Sequence, residues 1–213
     1  ATQVAAQLGY ETKMIDGRRV TDSDMLRVVT MVYGGLVNKN IVAGLNSRGI
    51  CALGMTGADC GIIVSHKREA KPVDYGFVGD VDKVDSQRLA SIINQGITPV
   101  LAPLTFDGHE HLLNTNADTI AGETAKAMAH LYDVSLVYCF EKRGVLTNPD
   151  DDNSVIPEIH ADNFAKLVED GVVSGGMIPK IQNALQAVEA GVKRVIITAA
   201  KGPDTESGTK ILP

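Results

Sequence analysis

Several residue types are scarce in this sequence, and each scarcity removes a class of protein. The 213 residues contain no tryptophan and three cysteines, Cys51, Cys60 and Cys139. Three scattered cysteines without a C-x-x-C pair exclude a disulfide framework and favour a reducing cytoplasm. The five histidines lack the spacing of zinc-binding motifs. Composition therefore predicts neither a disulfide-rich secreted domain nor a resident metal.

Basic residues and long apolar runs are also in short supply. Lysine and arginine total 20 against 26 acidic residues, a net charge of −6 without a dense basic stripe, which argues against nucleic-acid binding. No apolar run approaches the ~20 residues of a membrane span, and residues 1–8 resemble a helix already under way rather than a secretory signal. A hydrophobic content of 44% is ordinary for a globular protein. We therefore expect one domain over residues 1–213, with the chain beginning inside it and small molecules as partners.

Short apolar runs rich in β-branched residues alternate with segments of helical periodicity. The predicted strands are 50–53, 62–65, 97–101, 134–140 and 194–198. The predicted helices carry apolar residues on one face, around Met25–Val32, Leu89–Ile93 and Phe164–Val168. Asp85 or Ser86 is placed to cap the second helix, whereas Gly96, Gly171 and Gly191 stand where helices should end. This alternation is typical of an α/β fold with a mainly parallel sheet.

Two further segments fit neither the strand nor the helix pattern. Val73–Val81 mixes polar and apolar residues with glycines, which predicts a hairpin. Thr147–Ser154 is acidic, but it lacks the ligand spacing of a calcium loop, so we interpret it as a solvated loop.

Two distant segments stand where helices are predicted to begin, and both suit an anionic ligand. They are Asn114-Thr115-Asn116-Ala117-Asp118 and Gly175-Gly176-Met177-Ile178-Pro179-Lys180. Helix N-termini carry unpaired N–H groups that favour phosphate or carboxylate. These residues also have ordinary interpretations. Lys180 is then a surface lysine, Asp118 a helix-capping acid and Gly175-Gly176 a turn. If the fold brings Asp118 and Lys180 together, the predicted chemistry is phosphoryl transfer; the P-loop motif G-x-x-x-x-G-K-[ST] does not occur.

The same two segments resemble paired motifs of the amino-acid kinase family, in its acetylglutamate kinase branch. The segments Gly17–Asp22 and Val37–Val42 are similar to further motifs of that branch, so the resemblance runs through nearly the whole chain. It implies a three-layer α/β/α sandwich around a mainly parallel central sheet, with about 1–110 on the substrate side and about 111–213 on the nucleotide side. The family's first strand, which carries a lysine and paired glycines, and its second glycine-rich loop have no counterpart here, so the resemblance implies that the N-terminal part of the fold is missing.

The resemblance also assigns roles to individual residues. It implies that Lys180 contacts the transferred phosphate and that Asp118 organises this lysine, both as catalytic residues. It implies substrate contacts from Arg19, in preference to Arg18, together with Asn114 and Asn116. It implies nucleotide contacts from Gly175, Gly176 and Lys180.

The reaction that the resemblance implies is transfer of a phosphoryl group from ATP, with Mg²⁺, to the side-chain carboxylate of N-acetyl-L-glutamate or a close N-acyl relative. This is a step of arginine biosynthesis carried out by cytoplasmic homodimers. The sequence departs from the family pattern in two places that bear on this reaction. The chain has Cys139-Phe140-Glu141 where the family has a Thr/Ser-Asp pair, and Ala58 stands in place of a loop lysine. Little activity is expected from these residues without the family's first strand. The alternatives are a non-catalytic ligand-binding or regulatory module and a family enzyme with another acceptor.

Overall fold

The structure is a computed structural model that divides into two compact units, Ala1–Ile120 and Ala121–Pro213. It describes residues 1–15, 18–148, 150–175, 177–201, 206 and 208–213, and for residue 179 the backbone alone. The organisation of the chain as a single domain, with a boundary near residue 110 between its two sides, stays a prediction.

The first unit alternates strands and helices over most of its length. Its strands, in chain order, are β1 Met14–Ile15, β2 Arg18–Arg19, β3 Ala52–Met55, β4 Ile63–Lys67, β5 Gly79–Val84, β6 Thr98–Leu101, β7 Leu104–Phe106 and β8 Leu112–Asn114. Its helices are α1 Thr2–Gln7, α2 Ser23–Val29, α3 Asn38–Asn46, α4 Ser86–Ile93 and the start of α5 Ala117–Ala129. A short 3₁₀ turn covers Asp59–Gly61.

The strands of this unit form parallel and antiparallel pairs. Among the described residues β3 pairs with β6 in parallel, and a second sheet has the order β5-β4-β7-β8 with a parallel pair of β4 and β7 at its centre. The pairs β4–β5, β7–β8 and β1–β2 are antiparallel. The last residue of β8 is Asn114, so this sheet ends where the predicted substrate-side motif begins.

A continuous helical stretch joins α2 to α3 through the π-helical segment Thr30–Val37. Its buried face, including Val28, Val29 and Val32, packs with Leu104 in one core cluster. In the part of the chain that the structure describes, this stretch of 24 residues is the one helix whose length and apolar composition would suffice to cross a membrane. Such a match is weak, because the core helices of soluble proteins also produce it.

The second unit has a four-stranded sheet with the order β10-β12-β11-β9. The strands and helices that follow α5 are β9 Ser135–Phe140, β10 Glu158–Ile159, α6 Ala161–Glu169, α7 Met177–Glu189, β11 Arg194–Ala199 and β12 Thr209–Ile211. Strands β9 and β11 pair in parallel from Ser135 to Phe140, and β10 and β12 are also parallel, whereas β11 and β12 are antiparallel. Both β9 and α7 contribute to a large core cluster of this unit.

Most predicted elements are confirmed, with boundaries shifted by a few residues. The cap of α4 is Asp85, whose carboxylate accepts a hydrogen bond from the Arg88 N–H. Gly96, Gly171 and Gly191 have positive φ just beyond helices, as the turns that end them require. The hairpin prediction was misplaced: the antiparallel strands are β4 and β5, and most of Val73–Val81 is the connection that precedes β5.

Candidate functional site

Each unit contains a cavity lined by some of the predicted site residues. The cavity of the first unit has a volume of about 400 Å³, which suits a small ligand. Its lining residues are Met14, Arg18, Arg19, Tyr33, Arg68, Val78, Pro103, Asn114, Thr115, Asn116 and Ala117. Three arginines and two asparagines therefore line one cavity, which favours a small molecule that carries carboxylate and carbonyl oxygens.

Arg19 is held at this cavity by neighbouring helices. Its guanidinium donates to the Thr2 hydroxyl at 3.0 Å and approaches the sulfur of Met25 at 3.9 Å. Arg19 is half-buried in β2, whereas the adjacent Arg18 is exposed. These contacts agree with the preference for Arg19 as the carboxylate-binding residue, because a guanidinium already oriented by its neighbours loses less entropy on binding.

Asn114 is fixed by two segments that are distant in sequence. Its side-chain amide donates to the hydroxyl of Thr21 at 2.9 Å, and its backbone N–H donates to the carbonyl of Phe77 at 2.8 Å. Thr21 is fully buried. The amide group of Asn114 is therefore positioned at the cavity by a buried hydroxyl, as a substrate-binding residue requires.

Asn116 has a structural task in addition to its predicted one. Its side-chain oxygen accepts hydrogen bonds from the N–H groups of Asp118 and Thr119 at 2.8 and 3.1 Å, which caps the first turn of α5. Because that oxygen is engaged, a substrate contact from Asn116 would have to come from its NH₂ group. Its role as a substrate-binding residue stays a prediction.

Arg68 is a lining residue that the sequence analysis missed. It follows β4 and forms a bidentate ion pair with Asp80 of β5, one bond of which is 2.9 Å long. The hydrogen bonds of this pair lower the pKa of Asp80 and raise the pKa of Arg68 from their ordinary values. The guanidinium carbon also lies 5.8 Å from the ring centroid of Tyr75. The basic run His66-Lys67-Arg68 was the available signal, but only the register of the hairpin shows which residue faces the cavity.

The cavity of the second unit is larger, about 650 Å³, a size within the range of nucleotide-sized ligands. Its lining residues are Cys139, Phe140, Glu141, Lys142, Gly144, Val145, Leu146, Val172, Ser174, Met177, Lys180, Ile197 and Ala200. The end of β9 and the start of α7 thus meet at one cavity. That meeting places Lys180 in the same cavity as the unusual segment Cys139-Phe140-Glu141.

Lys180 projects from the first turns of α7 while the opposite face of the helix is buried. Ile181, Leu185 and Val188 belong to the core cluster of the unit, and Ile181 is fully buried. The Lys180 ammonium nitrogen lies 3.8 Å from the centroid of the Phe140 ring. Packing of the apolar face therefore fixes the helix, and the lysine extends into the cavity.

The predicted glycines and Asp118 are placed less completely. Gly175 precedes α7 with a φ of +54°, and a Cβ there would meet nothing within 4 Å. Gly176 lies outside the described residues. Asp118 stands in the first turn of α5. Since Asp118 belongs to the first unit and Lys180 to the second, their convergence stays a prediction, as do the roles assigned to all the site residues.

The two cavities can be tested for their fit to ATP and Mg²⁺. An ammonium group and a helix N-terminus suit a polyphosphate, and the apolar walls of the second cavity suit a purine. Among the described residues no group of three His, Cys, Asp or Glu side chains could hold a metal. Mg²⁺ in kinases is held largely by substrate phosphates, so the residues present fit a metal that arrives with the nucleotide.

Comparison with known proteins decides the family. A model of the "Amino acid kinase family" matches residues 1–199. The chain belongs to this family. The two cavities are thus those of a family member, and the resemblance predicted from its motifs is confirmed.

The most informative relatives are named acetylglutamate kinase. That of Bacteroides thetaiotaomicron is 62% identical over 211 residues, which cover 99% of this chain and 82% of the relative. That of Methanopyrus kandleri is 40% identical over 94% of this chain and 82% of the relative. This chain is accordingly an enzyme of the kinase class.

Solved structures show the same fold. The protein smu.665 of Streptococcus mutans superposes with a TM-score of 0.83 at 27% identity, over 99% of this chain and 81% of its own. An N-acetylglutamate synthase of Neisseria gonorrhoeae, solved with coenzyme A and N-acetyl-glutamate, superposes with a TM-score of 0.82 at 20% identity, over 99% of this chain and 49% of its own. These likenesses confirm the predicted α/β fold of amino-acid kinases.

Proposed function

We propose that this kinase transfers the γ-phosphoryl group of ATP to the side-chain carboxylate of an N-acyl-L-glutamate, with N-acetyl-L-glutamate as the favoured acceptor. The products are ADP and N-acetyl-L-glutamyl 5-phosphate. The observation that carries the proposal is the cavity in which the oriented guanidinium of Arg19 and the fixed amide of Asn114 face the same space. Relatives of that name at 62% identity support the same acceptor.

The acceptor determines which kinds of catalysis are needed. A glutamate side chain has an ordinary pKa of about 4.3 and carries no proton at neutral pH, so the attacking oxygen needs no general base. One of its carboxylate oxygens forms a bond to the γ-phosphorus as the bond from that phosphorus to the bridging oxygen of ADP breaks. Positioning and charge stabilisation account for most of the catalysis in such transfers.

The residues of this chain supply those two contributions in separate units. Arg19 binds the α-carboxylate of the acceptor through paired hydrogen bonds, and Asn114 orients its acyl-amino group. Lys180 stabilises the negative charge that develops on the transferred group. Asp118 holds the lysine in place. Bound Mg²⁺ would neutralise charge on the phosphates, and Gly175 and Gly176 allow their close approach to the start of α7.

A matched pair of lysine variants tests the proposal. Lys180→Met removes the ammonium from the cavity, whereas Lys193→Met removes an exposed ammonium of the same unit that pairs with Asp133 at 3.5 Å. Loss of one preorganised electrostatic group costs about 10²–10³-fold in turnover. We expect that loss in Lys180→Met and none in Lys193→Met, measured as ADP release in the presence of N-acetyl-L-glutamate with the chain extended by the lysine- and glycine-containing strand of the family.

An acceptor panel and the length of the chain complete the test. Preference for carbamate or a nucleoside monophosphate over N-acyl-glutamates would overturn the proposed acceptor. Binding of N-acetyl-L-glutamate without binding of ATP would instead identify a non-catalytic module.

Turnover is measured for these 213 residues and for the same chain extended by the lysine- and glycine-containing strand of the family. Equal rates would contradict the prediction that the strand is needed.

We further propose that the enzyme works as a homodimer in the cytoplasm, in arginine biosynthesis. The free thiols of the three cysteines are compatible with a reducing compartment. On the helical stretch Ser23–Asn46, the apolar residues Met31, Leu36, Val37 and Ile41 are exposed to 54%, 57%, 43% and 47%. An apolar helix face of this kind can pair with its own copy about a two-fold axis. Sedimentation equilibrium should give a dimer that Leu36→Lys converts to a monomer; a monomeric parent would exclude the homodimer.

A further inference from the structure

The contact between Lys180 and Phe140 has no counterpart among the predicted roles. Phe140 is the last residue of β9, and the centroid of its ring lies 3.8 Å from the Lys180 ammonium nitrogen. Both side chains line the cavity of the second unit. The lysine therefore rests on an aromatic face inside the cavity that suits a polyphosphate.

The position of the Phe140 ring is fixed by its surroundings. The ring stacks on that of the buried Tyr138, two residues earlier on the same face of β9, with centroids 5.9 Å apart and planes inclined by 22°. The carbonyl of Phe140 accepts a hydrogen bond from the N–H of Ala200 at 2.7 Å. Strand pairing and ring stacking thus fix the position of the Phe140 ring that the lysine contacts.

An aromatic face has a property that a carboxylate lacks. Its quadrupole attracts the ammonium but does not neutralise it, so the full positive charge stays available to a third group. A lysine side chain also loses considerable rotamer freedom when it is ordered, and a ring that already orders it reduces the loss that accompanies phosphate binding.

We infer that Phe140 is a positioning residue for Lys180, whose ring holds the ammonium in the cavity ready to contact the polyphosphate. The inference rests on the proposed role of Lys180 in phosphoryl transfer.

Three variants separate positioning from simple packing. Phe140→Leu keeps an apolar side chain but removes the π face, and Phe140→Tyr restores that face. Phe164→Leu is the matched control, because Phe164 packs against the core cluster of the same unit and does not line the cavity. A ring current shifts nearby protons upfield, so the ε-methylene protons of Lys180 report the contact directly by NMR.

We expect Phe140→Leu to abolish the upfield shift of the Lys180 ε-protons and to weaken ATP binding to the chain about fivefold, the size of a half-exposed cation–π contact. In the kinase assay of the chain extended by the family's lysine- and glycine-containing strand, its kcat should fall and its KM for ATP should rise, whereas its KM for N-acetyl-L-glutamate should not change. Phe140→Tyr should restore all these values. Phe164→Leu should leave the Lys180 signals and the ATP affinity as they are in the parent.

Two results would overturn the inference. One is a Lys180 ε-proton shift that is already absent in the parent or unchanged in Phe140→Leu. The other is a loss of ATP affinity that Phe140→Tyr does not restore or that Phe164→Leu reproduces. Failure of the proposed acceptor would give a different pattern, in which N-acetyl-L-glutamate is not phosphorylated while the NMR shift and the ATP affinity still respond to Phe140→Leu.

Discussion

The hydroxyl of Thr21 offers a test of how the substrate-side cavity is held together. Thr21 is fully buried, and its hydroxyl accepts the 2.9 Å hydrogen bond from the side-chain amide of Asn114. Thr21→Val keeps the β-branched shape and removes this acceptor. The backbone bonds of residue 21, with the Tyr75 carbonyl at 2.8 Å and the Phe77 N–H at 2.6 Å, do not depend on the side chain. The hydroxyl also donates to the carbonyl of Arg19 at the longer distance of 3.4 Å, so the substitution removes one strong hydrogen bond and one weak one.

The size of the effect follows from the burial of Asn114. A buried donor left without its partner costs about 1–3 kcal/mol. Asn114 is half-buried, so water compensates in part, and we take about 1–1.4 kcal/mol. Because 1.4 kcal/mol corresponds to a factor of ten, the dissociation constant of N-acetyl-L-glutamate should rise about five- to tenfold. The affinity for ATP should not change, because the other cavity is unaffected.

Isothermal titration calorimetry of the chain with N-acetyl-L-glutamate measures this effect. Thr147→Val is the matched control, since its exposed hydroxyl donates to the carbonyl of Ser154 at 3.3 Å in the second unit. A folded Thr21→Val variant whose affinity stays within twofold of the parent would refute the reasoning. In that case the Thr21 hydroxyl would not be what positions Asn114 for binding.

Two further predictions concern stability. Arg68 holds the pKa of Asp80 below its ordinary value of 3.8, so the stabilisation is complete well above that value and is lost as the pH falls through the lower pKa of the folded state. Asp80→Asn should therefore flatten the urea-midpoint profile below about pH 4, and parallel profiles would contradict this. A Cβ on Gly57 would lie 2.6 Å from the Ile63 carbonyl oxygen, whereas on Gly44 in α3 it would meet only the Arg48 guanidinium at 3.6 Å. Gly57→Ala should therefore destabilise by about 1–3 kcal/mol and Gly44→Ala should stabilise by about 0.5–1 kcal/mol, and equal urea midpoints would count against the close packing at Gly57.

The sequence predicted helices and strands well wherever the signal is local. The cap at Asp85 and the positive φ of Gly96 follow from residues within one turn of α4. One strand was predicted over 50–53 and lies at Ala52–Met55. The reason is that the N–H of Ile50 bonds the carbonyl of Leu45 and so closes the end of the preceding helix. An apolar residue recruited to a helix terminus cannot be distinguished from the first residue of a strand by periodicity alone.

The π-helical segment Thr30–Val37 could not be foreseen for a similar reason. Its sequence includes Gly34-Gly35, which predicts a break rather than a continuous helix. A Cβ on Gly34 would lie 3.2 Å from the Leu104 side chain, so a glycine permits close packing of the helix against the β7 region. The free energy that keeps the helix continuous here therefore comes from a tertiary contact. Tertiary contacts override helix propensity and leave no local pattern in the sequence.

The candidate site shows the same division between local and long-range information. Asn116 and Lys180 were proposed as site residues because each stands at a helix start, where unpaired N–H groups favour an anion. Arg68 was missed because its place depends on its pairing with Asp80 across the β4–β5 hairpin. Phe140 was noticed only as a departure from a motif, since nothing near it in sequence predicts a contact with a lysine 40 positions later. Residues proposed to contact a ligand could therefore be selected from motif and helix chemistry, whereas the neighbours that hold such residues in place required the register of the sheets.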